Sequence, residues 1–477
     1  MNHKYIAAIE IGSSRIKGLV AAAESDGRIK ILAVEDADSG DAVRYGRVKN
    51  AREVSTIVND IIRRLENNPH VAPGRISAIF IADGGRSLYS SPSEATINFG
   101  GEEEITRHTL ERLNKEARFN LATDRDVLAI APKRFFVDQA EVKKIVGTYG
   151  SVVRGEFTVI TQAPENHRAL DRIVIESHGT DVQRDYVTRL LAQTEMALSD
   201  SDRQVGCLFV DFGAETTSLA AFRDEALLFA ATIPVGGANI TRDLSSALSV
   251  TVEKAKNIKH TKGVAVFDRN KYEAPDSETK EIINYVSARA GEIIANVNNM
   301  LEIAGLKTSD FPGGIVITGG AMRLKGFPEM VESIIRIKPR PAVPDSSVDT
   351  TMVNIDPTEF FDVISITRYA AAHSDIDCLS FPDDSGSTHD TVQATTPKSQ
   401  EHRQQETTRN RRPEIPYDDP SLLDDDKELV QPDNINNDDR DELPTPDDDP
   451  RITREKLRDK IKRLFGPPVD FNANDMD

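Results

Sequence analysis

Three short segments of this chain carry residue types that suit a polyphosphate. The first is Ile9-Glu10-Ile11-Gly12-Ser13-Ser14-Arg15 and the second is Val210-Asp211-Phe212-Gly213-Ala214-Glu215-Thr216-Thr217. Both place a carboxylate two residues before a glycine and follow it with hydroxyl side chains. A glycine lets the backbone approach a ligand closely, and the amides and hydroxyls of Ser13, Ser14, Thr216 and Thr217 can face phosphate oxygens. The third is Ile315-Val316-Ile317-Thr318-Gly319-Gly320-Ala321, where paired glycines leave room for a flat ring against the main chain. Carboxylates facing each other from two strand ends, Glu10 and Asp211, suit a hydrated Mg²⁺, which takes oxygen ligands and keeps waters. Any one segment alone reads as an ordinary turn; the signal lies in all three, in this order. No G-x-x-x-x-G-K-[ST] occurs, which excludes a P-loop, and no G-x-G-x-x-G opens a helix after a strand, which counts against a dinucleotide site.

These segments need rigid elements behind them, and the pattern supplies an α/β alternation. Strands are expected at Tyr5–Ile11, Ile16–Ala22, Ile76–Ile81 and Gly314–Thr318. The spacing of Val54, Ile57, Val58, Ile61 and Ile62 predicts a helix over Ala51–Leu65. Leu208–Asp211 opens a second strand–turn–strand unit about 200 residues after the first, which implies a duplicated architecture with a cleft between its halves. Between them, Ile105–Arg118 is helical in pattern, and Val127–Ala131, Arg134–Val137 and Phe157–Thr161 read as strands.

The chain has 477 residues and a formal net charge of −19. Fourteen acids against two bases fall between Asp418 and Asp449, so most of the imbalance sits in one tract and the body is only mildly acidic. That balance argues against a nucleic-acid partner. Cys207 lies in an apolar run, far in sequence from Cys378, and no disulfide framework is suggested. No signal peptide opens the chain and no apolar run reaches the ~20 residues needed to span a bilayer, so any membrane contact is expected to be peripheral.

The folded part is expected to end near Phe381. Residues 382–450 are rich in Ser, Thr, Gln, Pro and Asp and too poor in apolar residues to offset their ordering entropy. After them comes Arg451–Phe465, where Leu457, Ile461, Leu464 and Phe465 fall on one stripe of roughly 100° if the segment is helical. Arg458, Lys462 and other cations flank it, while Glu455 and Asp459 point away, as expected if the stripe faces an anionic membrane. Thr453 can cap the helix and Gly466-Pro467-Pro468 stops it. Partly buried apolar side chains at about 1–2 kcal/mol each, with cations at about 1 kcal/mol each, outweigh the cost of ordering a short helix by roughly 5–7 kcal/mol. One copy would attach weakly and several copies together far better, which hints at self-association. The competing reading is a terminal helix docked on its own domain.

On the three segments, the chain resembles the actin/Hsp70/sugar-kinase superfamily, with two phosphate loops and an adenosine motif. Within it the chain resembles the bacterial cell-division protein FtsA family over residues 1–381 and again at the terminal helix. Ile233-Pro-Val-Gly236-Gly237, with Thr241 and Asp243 after it, and Glu253–Lys259 resemble the family's Gly-Gly turn and its helix beside the adenosine. The resemblance implies an α/β, actin-like two-lobed fold of duplicated ribonuclease-H-like subdomains. The first lobe would comprise 1–82, 163–204 and 345–381, with an inserted subdomain at 83–162. The second would comprise 205–233 and 313–344, with a 2B-type subdomain at 234–312. A disordered acidic linker (382–450), a membrane-targeting amphipathic helix (451–466) and a tail (467–477) would follow.

ATP and Mg²⁺ are the implied cofactors. Gly12, Ser13, Ser14, Asp211, Gly213, Thr216, Thr217, Gly236, Gly237, Lys259, Gly319 and Gly320 would hold the nucleotide, and Glu10 and Asp211 the metal. The implied role is a filament on the cytoplasmic face of the inner membrane at the septum. There it would anchor the FtsZ C-terminal tail through the 2B-type subdomain and help recruit other divisome proteins. Three departures from the family pattern stand out: Glu10 for a usual Asp, Lys256 where a Glu usually touches the ribose, and Ala238 for a common Asn. They imply weakened or altered nucleotide binding and at most a slow ATPase. Equally, Glu10 reads as a buried hydrogen-bonded acid and Lys256 as a solvated helix residue. The alternative function is a small-molecule kinase or a chaperone-like ATPase of the same superfamily, for which no general base and no peptide-binding domain is evident.

Overall fold

The computed structural model describes residues 4–25, 27–121, 124–266 and 276–382. The acidic linker beyond Pro382 and the amphipathic stretch with Leu457, Arg458, Ile461, Lys462, Leu464 and Phe465 lie outside the described residues.

The chain opens with an antiparallel meander of β1 (Lys4–Ile11), β2 (Arg15–Ala23) and β3 (Ile29–Asp38). These strands read as nearly continuous apolar runs because both faces of the sheet are covered. One cover is α1 (Ala51–Glu66), whose cap residue Asn50 accepts a hydrogen bond from the Glu53 amide, satisfying a donor the first turn leaves open. Its buried stripe of Val54, Val58, Ile61, Ile62 and Leu65 lies on β2, where a Cβ at Gly18 would come within 2.5 Å of Ile61 Cγ2. The helix can sit this close only because that position has no side chain. β4 (Ala78–Asp83) then enters parallel to β1.

A long excursion follows: β5 (Tyr89–Glu104), α2 (Arg107–Asn120), β6 (Asp126–Val137) and β7 (Tyr149–Gln162). Where the sequence suggests two strands around Pro132, there is one, interrupted by a bulge. Arg134 pairs with Glu156 and Pro132 with Phe157, leaving Lys133 unopposed. A bulge tolerates proline, which cannot donate to the ladder. The chain returns through β8 (Gln183–Thr188), parallel to β4, and α3 (Arg189–Ala197).

The second half repeats the plan. β9 (Cys207–Phe212), β10 (Thr217–Arg223) and β11 (Ala226–Ile233) form the meander. Three helices follow, α4 (Gly237–Leu248), α5 (Val252–Lys262) and α6 (Ser277–Ile303). β12 (Ile315–Thr318), α7 (Phe327–Ile335) and β13 (Pro339–Pro341) complete the half. Finally α8 (Phe361–His373) comes back to pack on α3 and β1.

Strand order is β3-β2-β1-β4-β8 in the first sheet, with the short strand Val348–Asp349 added parallel to β3 at its edge, and β11-β10-β9-β12-β13 in the second: an antiparallel meander followed by two parallel strands, twice over. This is the duplicated ribonuclease-H-like arrangement of an actin-like fold. One core, around Ile9, Leu19, Phe80 and Ile364, continues onto Phe209, Ala220 and Val316 of the second half's sheet, and another lies around Val210, Leu244, Ile293 and Phe327. The excursion has a third core, around Ile97, Leu113, Val153 and Phe157. Its sheet, ordered β6-β7-β5, joins the second half's sheet at β11 through the pair Tyr89–Ala231. Cys207 and Cys378 are both buried thiols. No helix among the described residues is long and apolar enough to cross a membrane.

Candidate functional site

The β1–β2 and β9–β10 turns are near copies. Gly12 N donates to Arg15 O at 3.0 Å, and Gly213 N donates to Thr216 O at 2.9 Å. In both, a Cβ on the glycine would press on the turn's own carbonyl, at 2.7 Å for Gly12 and 2.8 Å for Gly213. Each turn follows an acid near the end of a buried strand, Glu10 in one half and Asp211 in the other.

The Gly-Gly turn and the third segment close on the second of these turns. Gly237 N donates to Gly213 O at 3.0 Å and Ala238 N to Ala214 O at 2.6 Å. A Cβ on Gly236 would meet those carbonyls at 2.6 and 2.7 Å, so only glycine permits the approach. Gly319 adopts φ +93°, in the left-handed region, and a Cβ there would collide with the Phe212 carbonyl and the Asp211 carboxylate. Gly320, by contrast, faces open space. From α5, Lys259 Nζ donates to Gly237 O at 3.0 Å, tying that helix to the turn. Burial, with Lys256 beside it, lowers Lys259 to about 8. Lys256 itself is exposed.

Not every expected residue faces the same space. Gly237 and Gly319 pack on the turn at Gly213, while Gly12, Ser13 and Ser14 form the first turn, linked to the second through the hairpin at residues 43–48. Thr217 is fully buried and donates to Val235 O at 2.8 Å, so it braces the turn from behind. Ser13 Oγ accepts from Gly46 N at 2.7 Å, and Glu215 accepts from Tyr45 N at 2.7 Å. The tip of the hairpin at residues 43–48 therefore touches both turns. Glu215 is held further by Arg242 and by Arg44. Asp243 forms a two-pronged pair with Arg289, at 2.5 and 3.0 Å, joining α4 to α6.

Beneath the loops lies a buried charge cluster that sequence reading names only in part. Arg189, the first residue of α3, reaches Glu10 Oε1 at 3.1 Å and Asp211 Oδ2 at 4.0 Å. Gln193, one turn later, donates to Asp211 at 3.1 Å and to Asp362 at 2.5 Å. Lys17 lies 3.3 Å from Asp362 and donates to Glu359 O at 2.7 Å. Burial, reinforced by Asp362, raises Glu10 to about 7 and Asp211 to about 6, although Arg189 and Lys17 pull both down. Asp362 is partly buried, which pushes it up, but Lys17 and Arg189 hold it below the ordinary aspartate value.

The Mg²⁺ expected between Glu10 and Asp211 does not fit this arrangement. The two acids do converge, but a guanidinium already stands between them. Among the described residues no cluster of three or more His, Cys, Asp or Glu is placed to hold a metal. Gln193 Oε1, buried and without a partner, is a lone amide oxygen rather than a shell. Lys17 had a visible signal, as the one charge inside the apolar run of β2. Arg189, Gln193 and Asp362 had none, since they enter from α3 and α8, far along the chain from either loop.

The doubled sheet order, with an acid-and-glycine turn repeated at equivalent strand ends and glycine pairs packed on the second of them, defines an actin-like protein. A solved structure titled "PilM-PilN type IV pilus biogenesis complex" shares this fold with a TM-score of 0.55 at 13% identity, covering 77% of this chain and 98% of that one. The family model "Cell division protein FtsA" matches residues 208–373, and "SHS2 domain inserted in FTSA" matches residues 85–161, the excursion from β5 to β7. The chain is similar to Cell division protein FtsA of Porphyromonas gingivalis, 28% identical over 352 residues, covering 70% of this chain and 71% of that protein. It is 25% identical over 385 residues to that of Borreliella burgdorferi, covering 77% of this chain and 91% of the relative. The chain belongs to the FtsA family and is an actin-like cell-division protein. As such it acts at the septum, with other division proteins and with copies of itself.

Proposed function

We propose that the meeting point of the three glycine turns holds ATP, and that the loaded protein forms filaments tethered to the inner membrane, where it anchors FtsZ. The observation that carries this reading is the close approach of Gly236, Gly237 and Gly319 to the Asp211–Gly213 turn, a packing of main chain on main chain that only glycine permits. Gly12, Ser13, Ser14, Gly213 and Thr216 would hold phosphates, while Gly319 and Gly320 would lie against the adenosine and Lys259 beside it. The three-helix subdomain from α4 to α6 would take the FtsZ tail, and the stripe at Leu457, Ile461, Leu464 and Phe465 would hold the membrane with Arg458 and Lys462.

Two measurements test this. Calorimetry on the full chain should show one ATP per protein; no binding under any condition removes the nucleotide reading. Pelleting with anionic liposomes should carry down the intact chain but not one truncated at Pro450, and Leu464→Glu with Phe465→Glu should abolish pelleting. Equal pelleting of intact and truncated chains would remove the membrane anchor.

A further inference from the structure

We infer that Arg189 is a built-in cation standing where a bound dication would otherwise sit, so that the cleft accepts a nucleotide polyphosphate in its metal-free form. The inference rests on the nucleotide reading proposed above. Arg189 heads α3, immediately after β8, and this placement aims it from the first half of the fold at acids of both halves. Glu10 belongs to β1 and Asp211 to β9, and the guanidinium meets the first at 3.1 Å and the second at 4.0 Å. The side chain is only 15% exposed. A guanidinium stays charged at any pH the fold survives, so a metal ion entering between these acids would meet a permanent like charge.

The rest of the cluster is arranged around that charge. Three acids (Glu10, Asp211 and Asp362) face two cations (Arg189 and Lys17), with the Gln193 amide donating to two of the acids. Buried carboxylates need such partners, since leaving one unpaired in a dry interior is costly. Mg²⁺ demands six oxygens in a near-ideal octahedron at ~2.0–2.1 Å. Here Glu10 Oε1 already accepts from Arg189. The positive charge needed to draw a polyphosphate over Glu10 and Asp211 is therefore carried by the chain itself.

The test titrates a fluorescent ATP analogue into the full chain in excess Mg²⁺ and in EDTA. Wild type should bind within about twofold under the two conditions. Arg189→Ala should bind about tenfold more weakly in EDTA and recover with Mg²⁺, whereas Arg189→Lys should stay metal-independent. Wild-type binding that weakens about tenfold or more in EDTA overturns the inference. A second readout needs no nucleotide: Mn²⁺ titration followed by electron paramagnetic resonance. Arg189→Ala should gain one tight Mn²⁺ site relative to wild type, lost again when Asp211→Asn is added. A tight site of that kind already present in wild type, or none gained by Arg189→Ala, overturns the inference. If the analogue binds under neither condition, the nucleotide reading falls while the Mn²⁺ comparison still decides the role of Arg189.

Discussion

The two halves of this protein share a backbone plan and differ in what they hang on it. Strand order, meander and glycine turn repeat so closely that the turn hydrogen bonds differ by 0.1 Å, 3.0 against 2.9 Å. The positions after the turn diverge. Register aligns Glu10 with Lys17 in the first half and Asp211 with Ser218 in the second, so one half carries an ion and the other a hydroxyl. One residue further, Gly18 in the first half corresponds to Leu219 in the second. The first half needs the gap because α1 lies on it; in the second, the leucine is itself fully buried core. A duplicated scaffold thus keeps its main-chain geometry, while side chains are set by whatever packs on each copy.

The largest effect should come from this pair. Leu219→Ala is expected to destabilise the protein by about 3 kcal/mol by leaving a cavity, measured by chemical denaturation. Gly18→Ala, the converse change, should cost about 1–3 kcal/mol by pushing α1 from its seat. If either change proves neutral, the two faces are not packed as described. Next come the adjacent glycines of the third segment. Gly319→Ala should cost about 2 kcal/mol through its left-handed backbone and its collision with Phe212, and should weaken nucleotide binding. Gly320→Ala, facing open space, should stay within about 0.5 kcal/mol of wild type.

The smallest effect is electrostatic and confined to the second half. Lys259 titrates near 8 because it is buried beside Lys256. Its folded value lies below the ordinary 10.5, so the stability associated with this group is present above 10.5 and lost as pH falls through about 8. Lys256→Glu should move the Lys259 titration upward, read by NMR of isotopically methylated lysines, and narrow that pH window. An unmoved titration would mean that burial alone sets it.

Much of this was readable along the chain because its causes are local. A buried strand, a glycine and two hydroxyls are neighbours in sequence, so the turns at Gly12 and Gly213, the pair at Gly319 and Gly320, and the stripe of α1 all announce themselves. The bulge at Lys133 was less legible, since Pro132 in a strand pattern reads equally as a break; pairing with β7 makes it one strand. The junction of β5 with β11 had no local signature, because edge pairing depends on which sheet the excursion lands beside.

Residue types and spacing were thus enough to determine two matching halves, three glycine turns and an acidic tract leading to a basic stretch. Only the tertiary structure decided that Glu10, Arg189, Asp211 and Asp362 share one buried cluster. The reason is physical: a turn is set by the torsions of a few consecutive residues, whereas a charge in a dry interior is stabilised by whichever partners the crossovers deliver. Those partners came from α3 and α8, and they placed an arginine where the sequence alone suggested a metal.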